Sequence, residues 1–195
     1  MLTAEVTVEV NPTLSKNGVS LEELQEIGFS RISLGLQSLD DVALKHMLRE
    51  HTAKGGLEAL ERTARVFRPE RVTVDVMVGL PPLWRDRFDL HKDLEKISQF
   101  ADHISVYELT VEAGTKLAKS VERSETALAC PERSADEWQM VVETLANLGY
   151  ERYEVSNFAR NGRRSRHNEA VWHGNCYAGV GPGKKTHTHT HAHRI

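Results

Sequence analysis

Glu9 and Asp75 are the first residues whose positions call for chemistry. Each falls in a run that alternates apolar and polar residues, Glu5-Val6-Thr7-Val8-Glu9-Val10 and Val72-Thr73-Val74-Asp75-Val76-Met77-Val78. Alternation marks a strand and puts each carboxylate on the face opposite the valines. A carboxylate buried on a sheet face is costly unless something pairs with it. Arg31 or backbone amides could be that partner; a bound ligand is the other reading. Metal chemistry has thinner support. Cys130 and Cys176 are the only cysteines and stand far apart, so both read as ordinary thiols. A Thr-His alternation after Thr186 carries His187, His189, His191 and His193 and would suit a metal. A repeated CA dinucleotide encodes the same alternation, and Gly183-Lys184 is what a splice donor encodes when read through. Residues 184–195 are therefore expected to be a disordered low-complexity tail translated from intron.

The composition narrows the classes. The 195 residues carry 25 basic and 28 acidic side chains, a net charge of −3, which argues against a protein held to nucleic acid by its overall charge. No apolar run approaches a membrane span, and the N-terminus has neither a signal peptide's apolar core nor a transit peptide's arginines. Two cysteines cannot build a disulfide framework, which fits a reducing compartment.

Four strands must position the polar residues: Glu5 to Val10, Arg31 to Gln37, Val72 to Val78 and Ile104 to Leu109. β-branched residues within them and turn residues after them support this. Helical stretches lie between. Ser20 and Glu23 form a capping box ahead of Leu21, Leu24 and Ile27. Asp40 to Met47, Leu57 to Phe67 and the Leu90-Leu94-Ile97 stripe read as further helices, with Gly55-Gly56 a weak point. Ser134 and Glu137 read as a second capping box before Trp138, Val141 and Leu145. Strand-helix-strand repetition predicts a parallel α/β sheet. A barrel or partial barrel fits best, because one face of each strand is apolar and suits outer helices. The other face carries Glu9, Ser33, Gly35, Gln37, Thr73 and Asp75, and becomes most polar towards the C-terminal strand ends, where barrel enzymes keep their sites.

Seven segments in order resemble the coproporphyrinogen-dehydrogenase-like branch of the radical S-adenosylmethionine superfamily. They are Glu5 to Pro12, Arg31 to Asp40, Arg49-Glu50-His51-Thr52, Val74 to Pro81, His103 to Leu109, Tyr153 to Arg160, and His167-Asn168 leading to Gly179–Gly183. Tyr153-Glu154-Val155-Ser156-Asn157-Phe158-Ala159-Arg160 and the His-Asn pair are similar to the HemW-type haem chaperones. The resemblance implies a partial (β/α) TIM-type barrel of the radical SAM type over residues 1–120. A C-terminal α+β extension follows over 121–183. It assigns S-adenosylmethionine to Glu9, Gln37, Arg49 and Asp75. Carboxylates suit its hydroxyls and amino group, and arginine suits its carboxylate.

The resemblance also implies a [4Fe–4S] cluster on a CxxxCxxC loop, a motif this sequence lacks, so the chain is expected to be an inactive fragment of a longer protein. The implied cargo is haem, with an unidentified client and no nucleic acid. His167 is the candidate ligand within His167-Asn168-Glu169-Ala170-Val171-Trp172, where the family's tyrosine is Val171. His173 and Cys176 are nearby alternatives. Arg160, Arg163, Arg164 and Arg166 either pair haem propionates or form a solvated loop. The alternative activity is oxidative decarboxylation of a porphyrinogen. The family location is mitochondrial, and otherwise the chain reads as cytoplasmic.

Overall fold

The computed structural model describes residues 4–14, 18–84 and 89–180. A six-stranded sheet runs β1 (Thr7–Val10), β2 (Arg31–Gln37), β3 (Val72–Val78), β4 (His103–Glu108), β6 (Asn157–Ala159), β5 (Glu151–Arg152) in spatial order. The first four strands are parallel, as expected, and β6 pairs antiparallel with both β4 and β5. The helices are α1 (Leu21–Glu26), α2 (Asp41–His46), α3 (Ala53–Phe67), α4 (Leu90–Ser98), α5 (Lys116–Glu122), α6 (Pro131–Asn147) and α7 (Arg166–Trp172). The chain divides into two compact units between Arg163 and Arg164. The Thr-His tail lies outside the described residues. Among the described residues, no helix is long and apolar enough to cross a membrane.

The apolar strand face behaves as the alternation requires. Ile32, Leu34 and Leu36 of β2, Val72, Val74 and Val76 of β3, and Ile104 and Val106 of β4 are buried. They share one core with Leu60, Phe67, Leu94, Ile97, Val141 and Leu145 from the helices. The expected face of β1 is less complete. The strand begins at Thr7 rather than Glu5, and Val6 remains 42% exposed.

Two local expectations are corrected. The glycine pair does not weaken α3, which starts at Ala53 and runs through both residues. Thr52 caps it, its hydroxyl accepting from the Gly55 N–H at 3.1 Å. A Cβ at Gly56 would stand 2.6 Å from Leu36 Cδ1, so glycine is what lets the helix approach the sheet closely. The second capping box is absent, because α6 starts at Pro131 with Cys130 as its N-cap. Glu137 is instead buried inside the helix, accepting from the Gly79 N–H at 2.9 Å and from Arg133 at 3.3 Å. That carboxylate ties α6 to the turn after β3. The first capping box forms as read, with both Ser20 and Glu23 hydrogen bonds present.

Candidate functional site

The polar strand face gathers its residues by register. Glu9 lies beside Ser33, Ser33 beside Thr73, and Asp75 beside Ser105, so parallel pairing brings β1 to β4 side chains onto one surface. Ser33 donates its hydroxyl to the Asp75 carboxylate at 3.2 Å. Burial pushes the Asp75 carboxyl up from 3.8 to about 6, and the Glu9 charge adds to this. Hydrogen bonds from Ser33 and Ser105 and the Arg49 charge oppose it. Asp75 therefore senses both Glu9 and Arg49. Arg31 serves neither carboxylate as its main partner: it lies 3.6 Å from Glu5 and donates to Thr73 Oγ1 at 3.1 Å.

Gln37 and Arg49 complete the group. A register shift between Leu34 and Gln37 breaks the regular pairing of β2 with β3, and Gln37 sits at φ 67°. A left-handed backbone costs a non-glycine residue about 1–2 kcal/mol, and such strain is commonly held where a side chain must be re-aimed. Arg49 arrives by another route. Asp40 caps α2, accepting from the Val42 and Ala43 N–H groups. The helix ends through Leu48 at φ 55°, and the Arg49 N–H returns to the Leu44 carbonyl at 2.9 Å. The Arg49 guanidinium then donates to the Gly35 carbonyl at 2.8 Å and to Asn11 Oδ1.

Gly35 is the floor of this arrangement. A Cβ there would lie 3.1 Å from Arg49 Nη2, 3.3 Å from Gln37 Nε2 and 3.4 Å from Asn11 Oδ1. Any side chain would press on Arg49 and Gln37 and touch Asn11. The rest of the Arg49-to-Thr52 segment is anchoring. His51 is buried with Nε2 3.1 Å from the Leu36 carbonyl, and Thr52 caps α3. Burial lowers the His51 pKa, which fits a neutral imidazole donating to that carbonyl.

Four separately read residues, Glu9, Gln37, Arg49 and Asp75, are thus neighbours at one end of the sheet. Sequence reasoning missed Asn11, which had served only to end the first strand, and the site role of Gly35. Asn11's position two residues past Glu9 was the available signal. Deeper on the same face, His103 is fully buried with Nε2 2.8 Å from the Tyr153 hydroxyl. Burial and the Arg31 charge lower its pKa to about 3, so it is neutral. Its Nδ1 and the buried Asn157 Oδ1 have no hydrogen-bond partner among the described residues.

An open cleft of about 670 Å³ adjoins Gln37 and Arg49 and reaches His46, Met77, Trp84 and Lys116.

The second unit is small. Ser165 caps α7, accepting from the Asn168 N–H at 3.3 Å, and Arg164 pairs with Glu169 at 3.3 Å. His167, Trp172, His173 and Cys176 are exposed. His173 Nδ1 lies 2.6 Å from the Glu169 carbonyl. Arg160 belongs to the first unit and is committed there, with Nε 2.6 Å from Asp102 and its guanidinium stacked 5.1 Å over Tyr150.

Residues 2–94 match the family model of the Radical SAM superfamily. The chain is 41% identical over 185 residues to Radical S-adenosyl methionine domain-containing protein 1, mitochondrial, from Bos taurus, covering 92% of this chain and 40% of that protein. It is 33% identical over 180 residues to Heme chaperone HemW from Bacillus subtilis, covering 92% and 47%. The chain therefore spans less than half the length of these curated relatives. Among solved structures, coproporphyrinogen III oxidase (HemN) from Escherichia coli, a radical SAM enzyme, superposes with TM-score 0.63 at 20% identity, covering 89% of this chain and 39% of that one. That likeness concerns the fold, a partial radical SAM barrel. The family match and the relatives agree: the chain carries a radical SAM domain over residues 2–94 and is similar to members of the radical SAM superfamily over 92% of its length.

Proposed function

We propose that this chain is the cofactor-holding part of a haem-handling protein of the HemW type. The observation that carries the reading is the convergence of Asn11, Gln37 and Arg49 above Gly35, with Asp75 and Glu9 in electrostatic reach. These residues fit S-adenosylmethionine by charge. Arg49 suits its carboxylate, and Glu9 and Asp75 suit its ammonium, sulfonium or ribose hydroxyls. Bound there, S-adenosylmethionine supplies a sulfonium centre at the C-terminal mouth of the barrel. The chain's own part is to hold and orient it.

The cluster does not fit this chain's residues. Cys130 and Cys176 are both exposed and form no disulfide, and no group of three potential metal ligands exists among the described residues. A [4Fe–4S] cluster in such a protein would rest on cysteines outside this chain. Haem is the proposed cargo, by extension from the HemW relatives, with His167 as a candidate ligand, and the mitochondrial location extends from the vertebrate relatives.

Equilibrium dialysis against S-adenosylmethionine and absorption titration with haem test the two halves. Saturable binding of each is expected. Absence of saturable haem binding would overturn the haem half, and release of 5′-deoxyadenosine with a vinyl product from the parent-length protein would replace it with porphyrinogen oxidation.

A further inference from the structure

The cleft beside Arg49 has a composition that the cofactor site does not explain. Gln37 and Arg49 of the cofactor site line part of it, and the rest of the described lining is mainly apolar (Met47, Leu48, Met77, Leu109 and Leu117), joined by His46, Trp84, Lys116 and three hydroxyl side chains. None of the described residues that line it is acidic. A volume of about 670 Å³ falls within the range of cavities that take cofactor-sized ligands. The cleft therefore suits a large, flat, apolar body carrying negative charge.

Three residues stand out in its lining. Leu48, whose left-handed φ of 55° ends α2 and leads to Arg49, leaves an apolar side chain 73% exposed at the cleft. Lys116 opens α5, where its charge faces the positive end of the helix dipole, and no acidic residue in that turn offsets it. His46 lies flat against Trp84, ring centroids 5.1 Å apart and planes 4° from parallel. Stacking fixes the imidazole while its ring nitrogens make no hydrogen bond among the described residues. A pinned imidazole with free nitrogens is suited to a metal ion brought in by a ligand.

We propose that this cleft, lined by the first unit, is a haem site in which His46 ligates the iron and Lys116 pairs with a propionate. The apolar wall of Met47, Leu48, Met77 and Leu109 covers the macrocycle. This rests on the haem-handling reading above and adds to it a location next to the S-adenosylmethionine residues.

The test is absorption titration of the whole chain with haem, and separately with metal-free protoporphyrin. His46→Ala, Lys116→Glu and His167→Ala are compared, all at exposed positions that leave the core intact. The expected result is that His46→Ala shifts the haem band and weakens haem at least tenfold while leaving protoporphyrin binding nearly unchanged. Lys116→Glu should weaken both ligands, and His167→Ala should spare the cleft-bound equivalent. If His167→Ala alone removes haem and the two cleft variants bind as the unaltered chain does, the cleft site is wrong and the haem-handling reading stands. If the unaltered chain binds no haem saturably, both fall together.

Discussion

Replacing Asp75 by asparagine isolates the electrostatics of the site. Burial raises the Asp75 carboxyl from 3.8 to about 6, so the fold favours its protonated form. The stability this group contributes is complete below pH 3.8 and is lost as pH rises through 6. The difference amounts to about 3 kcal/mol between the two protonation states, which solvent at the half-buried side chain reduces to about 2 kcal/mol. Asparagine resembles the protonated acid at every pH and lacks this dependence. Urea unfolding of both proteins between pH 4 and pH 7.5 supplies the readout. Carboxylates remote from Asp75 contribute equally to both curves, so the difference between them reports Asp75 and its coupling to Glu9. It should move by about 2 kcal/mol in favour of Asp75→Asn as pH rises. Parallel curves would refute the claim that this carboxyl is held in a desolvated site beside Glu9. A cationic ligand should reverse the preference, so S-adenosylmethionine affinity is expected to rise with pH through 6 and to lose that dependence in the variant.

Three further outcomes follow from the contacts. Gly56→Ala should destabilise by about 1–3 kcal/mol through overpacking on Leu36, measured by thermal unfolding, whereas Gly55→Ala, whose nearest contact is Thr52 Oγ1 at 3.3 Å, should cost clearly less; equal losses would undo the close-approach argument. Glu137→Ala should cost about 1–3 kcal/mol because it leaves the buried Gly79 N–H unpaired, and an unchanged melting temperature would contradict it. Asn11→Ala should weaken S-adenosylmethionine about tenfold by releasing Arg49, roughly 1.4 kcal/mol, without loss of fold by circular dichroism; unaltered affinity would show that Arg49 needs no such partner.

Much of the architecture was legible because its signals are local and agree with one another. Alternation in Arg31 to Gln37 and Val72 to Val78 gave strands that the structure places at those same limits. Ser20 and Glu23 announced α1 through a box whose two hydrogen bonds need only four consecutive residues. What failed was decided at long range. Glu137 looks like a capping residue until Gly79, 58 positions earlier, comes to its carboxylate. Gly56 looks like a helix breaker until Leu36 fills the space a Cβ would take. The site divided in the same way. The residue types and strand ends marked Glu9 and Asp75, and family resemblance added Gln37 and Arg49. Asn11 and Gly35 act through neighbours that only the parallel pairing of β1 with β2 brings together.

The most direct test of the strand-end site is the amide spectrum of the ¹⁵N-labelled chain, followed while S-adenosylmethionine is added. Saturable shifts centred on Gly35, Gln37, Arg49 and Asp75 are expected, as is their loss in Arg49→Gln. Shifts that fall elsewhere, or that survive in Arg49→Gln unchanged, would contradict it.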